Sequence, residues 1–477
     1  MAEKRAGTRY RGGGRVATVV ALVGVAVASF GSGDGVAEPL VAAATTAALG
    51  PVTFSLSVQP GDPVPLAVVK EKSMAALTNK GFIGQGIDVA LIDSGVSPVV
   101  GLDQPGKVLY GPDLSNEGGL ANLANLDTYG HGTHMAGIIA GNDGAKVVGI
   151  APASRIVSVK VAGATGETDV AQVIAGIDWV IEHRNDNGLN VRVLNLSFGV
   201  AGVATSAGDP LSAAVERAWD AGIVVVAAAG NRGNAANGID SPAISPYVIA
   251  VGAIDQFDGS GKTDKIASLS SSGNATRTPD LVAAGRSIVS FRVPGSMLDQ
   301  LYPSAIVGDR YFRGSGTSQS AAVVSGFAAA LLSRNPLLKP DQVKYLLERY
   351  AKDLVPGDLL DGSGKVDAGS AAKNIPQAIY AVPQTFPRAI MLAESGGLVA
   401  PTGASWSGGT WNGASWSGGT WNGASWSGAS WSGASWSAGT WSGATWSGAT
   451  WSGATWSGAT WSGASWAGAT WSGWNWS

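Results

Sequence analysis

The sequence predicts an α/β fold in which a parallel sheet carries helices on both faces. Apolar runs recur through the middle of the chain, with helix-like stretches between them. These runs lack the alternation of polar and apolar residues that marks a half-exposed strand, so they are typical of strands buried on both faces. Strands that alternate with helices indicate a parallel sheet. At 477 residues the chain can bury a large core and carry further segments.

The predicted elements follow one another at short intervals. Residues 210–221 have apolar residues at helical spacing, and Asp209 is a predicted N-cap ahead of Pro210. A closing helix is predicted over 339–350, and small residues predict a buried helix over 320–330. The predicted strands cover 87–92, 156–161, 191–196, 223–228 and 248–251, and a further helix covers 168–183.

The N-terminus has the three-part pattern of a signal peptide, which we assign to residues 1–37. Basic residues between Lys4 and Arg15 precede the uncharged, mostly apolar stretch 16–30, and small residues follow. The apolar stretch is shorter than the roughly 20 residues that a membrane-spanning helix needs. We therefore expect export with cleavage, the alternative being an uncleaved N-terminal anchor. Residues 38–79 are interpreted as a short N-terminal or pro segment.

Composition excludes several classes of site. The chain has no cysteine, so disulfides, thiolate metal sites and a cysteine nucleophile are excluded. Charged residues make up 14% of the chain and the net charge is −3, with no basic patch, so we expect no nucleic-acid partner. We also expect no cofactor.

The C-terminal segment, 403–477, repeats a five-residue unit such as GASWS or GATWS. Trp occupies every fifth position from Trp406 to Trp471, and the segment holds 16 of the 18 tryptophans. Such repetition indicates an array of small units. Period five fits neither a helix nor a one-sided strand, whereas a coil with five residues per side could align the tryptophans. We predict disorder or weak order for this segment in isolation, after a linker over 374–402.

Three motifs supply the parts of a nucleophilic hydrolase. Asp93 lies in VALIDSGV, His131 in YGHGTHMAGIIAG and Ser318 in GSGTSQSAAVVSG. A serine hydroxyl needs a base in hydrogen-bond reach, and the base needs a partner that fixes its tautomer. Asp93 directly follows a predicted strand, where sites of open parallel sheets lie. Each motif taken alone has an interpretation other than the serine-hydrolase one. For GHGTH it is a metal-binding pair formed by His131 and His134. The three motifs together are specific.

The order Asp, His, Ser is that of subtilisin, and over roughly residues 80–372 the chain resembles the subtilases, the subtilisin-like serine peptidases. The resemblance implies a subtilisin-like catalytic domain, which we bound at 80–373. It also implies that Ser318 attacks, that His131 is the base and that Asp93 orients it. Asn231, in VVVAAAGN, is implied as an oxyanion donor. Two stretches are implied to pair with an extended peptide and to flank the pocket for the residue before the cleaved bond: Ser197, Phe198 and Gly199, and Ala228, Ala229 and Gly230.

The chain departs from the family pattern in four places. Gln319-Ser320-Ala321-Ala322 follows the serine where subtilases usually read Met-Ala-Ala-Pro, and Ala284 stands where proline is common. The connection 292–313 is longer than usual and is predicted to be a loop near the site. Residues 38–70 are short for the inhibitory propeptide of many exported subtilases, so the sequence does not explain how the enzyme is kept inactive.

These observations predict a secreted serine endopeptidase that acts on proteins or peptides as a monomer. The alternative is a surface- or wall-associated binding protein in which the Trp repeats are the functional part and bind the cell envelope or its glycan. No metal site is predicted; calcium is frequent in subtilases, but no dense carboxylate loop places it here. Ala228-Ala229-Gly230 leaves room for a sizeable side chain, which favours apolar residues before the cleaved bond.

Overall fold

The computed structural model describes residues 51–58, 62–70, 74–255, 264–354 and 360–381, and short strands between residues 398 and 476. The predicted signal peptide or anchor lies outside the described residues. Within the described part of the chain, no helix combines the length and apolar character needed to cross a bilayer.

Thirteen strands and nine α-helices lie in the described residues between 51 and 381. The strands are β1 (Val52–Thr53), β2 (Asp88–Asp93), β3 (Val108–Asp113), β4 (Arg155–Lys160), β5 (Glu167–Thr168), β6 (Val191–Leu196), β7 (Val224–Ala228), β8 (Ile249–Asp255), β9 (Lys265–Ile266), β10 (Leu281–Ala284), β11 (Ile288–Phe291), β12 (Ile306–Val307) and β13 (Tyr311–Gly314). The helices are α1 (Leu66–Lys70), α2 (Ala75–Thr78), α3 (His131–Ala140), α4 (Val170–His183), α5 (Pro210–Asp220), α6 (Met297–Leu301), α7 (Thr317–Arg334), α8 (Pro340–Arg349) and α9 (Ala368–Lys373).

The central sheet is parallel, as predicted. Its strands run in the order β10, β8, β7, β6, β2, β4, β3, all parallel, and the short β9 pairs with β8 in the antiparallel sense. Every residue of β2, β7 and β8 is buried. Strands covered on both faces need no polar face, and the continuous apolar runs of the sequence reflect this.

Helices cover both faces of this sheet. One layer contains α3 and α7, which pack against each other, and α7 contacts β6, β7, β8 and β10. The other layer contains α4 and α5, which also pack against each other; α4 contacts β2 and α5 contacts β7. Helix α7 is buried from Thr317 to Leu332, which its many small residues permit. Asp209 caps α5 as predicted, since its side chain accepts from the Ser212 N–H at 2.9 Å.

A three-stranded antiparallel sheet lies beside the central one. Its order is β11, β13, β12. β11 lies just before the long connection 292–313, which contains α6, β12 and most of β13. The N–H groups of Met297 and Leu298 donate to the carbonyls of Thr128 and Tyr129, each at 3.0 Å. This connection therefore packs against the residues just before His131, which confirms the predicted proximity to the site.

Short parallel strands follow, from β14 (Leu398–Ala400), which precedes the repeats, to β29 (Asn475–Trp476). From β15 (Ser405–Ser407) to β25 (Thr455–Ser457) each strand pairs with the strand 20 residues later, so that Trp406 aligns with Trp426 and Trp411 with Trp431. The strands make four sheets of four. Four five-residue units thus complete one turn, and each turn adds one strand to each sheet. Weak order of this segment in isolation stays a prediction.

Candidate active site

The predicted catalytic residues stand at the carboxyl edge of the parallel sheet. Asp93 is the last residue of β2, His131 is the first residue of α3, and Asn231 follows β7. Ser318 is the second residue of α7, and its backbone carbonyl accepts from the hydroxyl of Ser197, which directly follows β6. The topology therefore brings all four residues to the edge where such sheets bind ligands.

Asp93 and His131 form a buried hydrogen-bonded pair. The imidazole Nδ1 lies 2.8 Å from the carboxylate Oδ1, and both side chains are fully buried. The Ser94 N–H donates to the same carboxylate oxygen at 2.8 Å. A proton on Nδ1 leaves Nε2 as the acceptor. Among the described residues, Nε2 of His131 has no hydrogen-bond partner.

Asp127 holds the start of α3 through hydrogen bonds to its backbone. Its carboxylate accepts from the N–H groups of Gly130 at 2.6 Å and Thr133 at 2.7 Å, and from the Ser94 hydroxyl at 2.8 Å. Burial raises the pKa of Asp127, against the lowering effect of these backbone donors. The Ser94 hydroxyl in turn accepts from the Gly132 N–H at 3.0 Å. These contacts fix the backbone on both sides of His131.

Ser318 is buried, and its hydroxyl donates to the carbonyl of Ser197 at 2.9 Å. The contact is reciprocal, because the Ser197 hydroxyl donates to the Ser318 carbonyl at 3.0 Å. The carboxamide of Asn195 donates to the Ser197 hydroxyl at 2.8 Å and accepts from Ser325 of α7 at 2.9 Å. The end of β6 is thus bound firmly to the start of α7. In this conformation the Ser318 hydroxyl donates its hydrogen bond to the Ser197 carbonyl and not to Nε2 of His131.

Asn231 is held in a single orientation by Thr317. Its side-chain oxygen accepts from the Thr317 N–H at 2.8 Å and from the Thr317 hydroxyl at 3.0 Å, while the same hydroxyl accepts from the Gly230 N–H at 3.1 Å. The amide nitrogen faces the other way and lies 3.3 Å from the hydroxyl of Ser55. The N–H of Ser318 is in the first turn of α7, where N–H groups lack partners within the helix. The side chain of Asn231, implied as an oxyanion donor, and the N–H of Ser318 therefore both lie at the start of α7.

The two predicted peptide-binding stretches behave differently. Gly199 forms an antiparallel bridge with Thr53, so Ser197-Phe198-Gly199 does pair with an extended segment. In Ala228-Ala229-Gly230 the backbone is used within the domain: the Ala229 N–H donates to Val251 and its carbonyl accepts from Asp240. Backbone pairing with an extended segment of the chain itself is therefore found only at the first stretch, and pairing of either stretch with a peptide substrate stays a prediction. The second stretch is buried next to Asn231.

The remaining histidines are structural. Nε2 of His134 lies 3.2 Å from the carbonyl of Phe312, and burial, followed by the neighbouring His131, lowers the pKa of His134 from 6.5 to about 3. His183 pairs at the surface with Asp186 at 2.9 Å. No group of three potential ligands occurs among the residues that the structure describes.

Sequence reasoning missed four residues of the site. Ser94 follows Asp93 and Thr317 precedes Ser318 in the chain, so their position beside two predicted catalytic residues could have indicated them. Phe54 and Tyr129 were not singled out: the Phe54 ring lies 5.7 Å from the His131 ring, and the Tyr129 hydroxyl donates to the Phe54 carbonyl at 2.8 Å. No local pattern places residue 54 beside residue 131.

The domain that holds this site is similar to known serine proteases. Residues 84–366 match the subtilase family, Peptidase S8. The chain is 37% identical to the serine protease AprX of Bacillus subtilis (strain 168) over 298 residues, which span 60% of this chain and 66% of AprX. It is 34% identical to Subtilisin Savinase of Lederbergia lenta over 315 residues, 65% of this chain and 99% of that protein. Fervidolysin from Fervidobacterium pennivorans, described as a keratinolytic enzyme related to subtilisin, aligns with a TM-score of 0.54 at 26% identity, covering 69% of this chain and 51% of fervidolysin.

Proposed function

The chain belongs to the subtilase family, and we propose that it is a serine endopeptidase that works through Ser318, His131 and Asp93. The observation that carries the proposal is the buried 2.8 Å contact between Asp93 and Nδ1 of His131. It leaves Nε2 with no partner among the described residues. A neutral imidazole in this tautomer is a general base ready to accept a proton.

Acylation starts from the serine hydroxyl. The Ser318 hydroxyl, which donates to the Ser197 carbonyl at 2.9 Å, has to leave this carbonyl and turn to another staggered rotamer to donate to His131. Oγ attacks the carbonyl carbon of the peptide bond as its proton passes to Nε2. The Asp93 carboxylate stabilises the imidazolium that forms. His131 then gives the proton to the leaving amine, and the C–N bond breaks.

The oxyanion formed in this step is stabilised by two preorganised donors. These are the side-chain amide of Asn231 and the backbone N–H of Ser318. The amide needs no reorientation, because Thr317 holds its oxygen through two hydrogen bonds. Donors fixed before the reaction stabilise developing charge without a reorganisation cost. Water then attacks the acyl-enzyme, with His131 again acting as the base.

Digestion of a protein substrate tests this function. Purified full-length protein is expected to digest casein, and Ser318→Ala is expected to lose at least roughly three orders of magnitude of that activity. Ser363→Ala, a change at an exposed serine, is the matched control and is expected to match the wild type. Equal activity of Ser318→Ala and wild type would refute the proposal.

We further propose that the protein is exported, on the basis of the signal-peptide pattern in residues 1–37. Cell fractionation and N-terminal sequencing separate the two alternatives. Protein in the medium that begins after residue 26 supports export with cleavage. Full-length protein in the membrane fraction supports an anchor, and protein confined to the cytoplasm refutes both.

The C-terminal repeats are proposed to hold the enzyme on cell-envelope glycan. Support comes from the 20-residue register, which aligns Trp with Trp in four parallel sheets, because an ordered aromatic array suits the flat faces of sugars. Sedimentation with insoluble envelope polysaccharide tests this, with Ser318→Ala protein used to prevent digestion. The full chain is expected to pellet and a chain ending at residue 381 to stay in solution. Equal sedimentation of both would refute it.

A further inference from the structure

A carboxylate lies between the two predicted peptide-binding stretches, 197–199 and 228–230. It belongs to Asp240, which is 6% exposed. A Cβ built on Gly230 would lie 2.2 Å from the Asp240 Oδ2, and one built on Gly199 would lie 2.7 Å from its Cβ and 3.0 Å from the same Oδ2. Each stretch therefore has glycine at the position where this side chain lies against it.

The backbone of Asp240 is fixed to both sides of this space. Its N–H donates to the Ala229 carbonyl, in the middle of the second stretch, at 2.9 Å. Ser241 and Val200, which directly follows the first stretch, exchange two backbone hydrogen bonds at 2.8 and 3.0 Å. Residues 240 and 241 therefore close the space between the stretches, and we call them its floor.

The two oxygens of the floor carboxylate are used differently. Oδ1 accepts from the Arg232 Nε at 2.7 Å, and the other guanidinium nitrogens donate to the carbonyls of Ala236 at 3.3 Å and Gly238 at 2.7 Å. The guanidinium is thus held by its own loop. No group among the described residues donates a hydrogen bond to Oδ2, the oxygen that lies between the two glycines.

The surroundings of this oxygen favour a cationic partner. The Ser241 hydroxyl donates to Asp209 at 2.6 Å, so two carboxylates stand at the floor against the one guanidinium of Arg232. Burial raises the pKa of Asp240, and Arg232 acts against that rise. A second cation at Oδ2 also stabilises the ionised carboxylate, and the attraction is stronger than in water because the group is largely removed from solvent.

Another site in the same chain has one carboxylate that holds two cations. Asp280 is paired with Arg277 through both oxygens and lies 3.0 Å from the Lys344 Nζ. A guanidinium on a carboxylate therefore leaves room for an ammonium. Asp240 uses only one oxygen for Arg232 and keeps the other for such a partner.

From this geometry we infer that Asp240 determines specificity and that the enzyme cuts after a basic residue, lysine or arginine, an inference that rests on the proposed function. The cationic end of the substrate side chain passes between Gly199 and Gly230 and donates to Oδ2 of Asp240. Its methylene groups lie along the backbone of the two stretches. A basic residue thereby takes the place of the apolar one that Ala228-Ala229-Gly230 alone favours.

Two fluorogenic peptides that differ only in the residue before the cleaved bond test this role. One carries lysine, and the other carries methionine, which is unbranched and uncharged. Wild type is expected to favour lysine at least roughly tenfold in kcat/KM, because methionine leaves Oδ2 without a donor. Asp240→Asn keeps the shape and removes the charge. It is expected to lose this preference, with kcat/KM on the methionine peptide within about threefold of wild type.

Two further variants separate specificity from a structural role of the Arg232–Asp240 pair. Arg232→Gln removes the competing cation and is expected to raise the preference for lysine, whereas a pair that only stabilises its loop predicts equal losses on both peptides. Asp178→Asn breaks the pair of Asp178 with Arg217 at 2.6 Å on the outer helices α4 and α5, and it is the matched control with the wild-type preference. The ratio of two kcat/KM values from one preparation does not depend on its folded fraction.

Casein digestion separates failure of this inference from failure of the proposed function. Mass spectrometry of the fragments is expected to place most cuts after lysine and arginine for wild type but not for Asp240→Asn. Digestion that is lost in Ser318→Ala but shows no preference for basic residues, or a preference that Asp240→Asn retains, overturns the inference and leaves the proposed function standing. Absence of Ser318-dependent cleavage of casein and of both peptides overturns both.

Discussion

Replacing Asn231 by Ala removes two separate functions of one side chain. The amide nitrogen is the proposed oxyanion donor, and the oxygen accepts two hydrogen bonds from Thr317, at 2.8 and 3.0 Å. In subtilisin, loss of one side-chain oxyanion donor lowers turnover by roughly two to three orders of magnitude, about 3–4 kcal/mol of transition-state stabilisation. We expect the same range here. The two lost hydrogen bonds, at about 1 kcal/mol each, lower the free energy of unfolding by about 2 kcal/mol.

The assay must separate these effects. Purified Asn231→Ala enzyme is compared with wild type on a peptide substrate, and urea unfolding is followed in parallel. The fall is expected in kcat with KM little changed, because the donor acts on the transition state. Thr317→Val removes only the hydroxyl that holds the amide and is expected to cost less turnover than Asn231→Ala. A kcat of Asn231→Ala within about threefold of wild type, or a loss confined to KM, would refute the reasoning.

Three further predictions concern buried groups. Asp93→Asn fixes the wrong tautomer of the base and is expected to lower kcat by about four orders of magnitude, with the fold intact by circular dichroism; near-normal turnover would contradict the assigned role. The pKa of His134 is lowered from 6.5 to about 3, so between these pH values the unfolded chain binds a proton that the folded chain does not. The free energy of unfolding therefore falls by about 1.4 kcal/mol for each unit by which the pH is lowered from 6.5 toward 3. His134→Gln should lose this slope in urea titrations at pH 4–7 while the surface variant His183→Gln keeps it; an unchanged slope would refute the attribution. Lys160 is fully buried, and its Nζ lies 2.6 Å from the Glu117 carboxylate. Lys160→Met leaves this carboxylate without its partner and should lower the free energy of unfolding by about 3–5 kcal/mol, and the added change Glu117→Gln should restore part of the loss. A loss under about 1 kcal/mol would contradict the pairing.

Local patterns in the sequence predict the central sheet well. The run 191–196 coincides with β6 and 210–221 with α5, whose start is set by the Asp209 cap. The observed element boundaries differ from the predicted ones where pairing with a strand distant in sequence sets the end of an element. The predicted helix over 168–183 begins instead at Val170, because Thr168 belongs to β5 and pairs with Val52. The predicted strand 248–251 extends to Asp255 in β8, where β10 and β9 continue its pairing.

The catalytic residues were predictable because each stands in a distinctive local motif. The residues that occupy the cleft were not, since Phe54 meets His131 and Phe198 only through pairing with distant edges. The departures after Ser318 are accommodated without proline: α7 begins at Thr317, Gln319 is fully buried and the Ser320 hydroxyl donates to Ala283 at 3.0 Å. In the repeats, period five predicted an array, and the pairing adds that four units make a turn.

Active-site labelling tests the central claim most directly. Purified protein is treated with a fluorophosphonate, which reacts with an activated serine, and the modified peptide is identified by mass spectrometry. The account predicts labelling at Ser318 that is absent in Ser318→Ala and strongly reduced in His131→Ala, with Ser363→Ala labelled like wild type. Folded wild-type protein that takes up no label at Ser318 would contradict it.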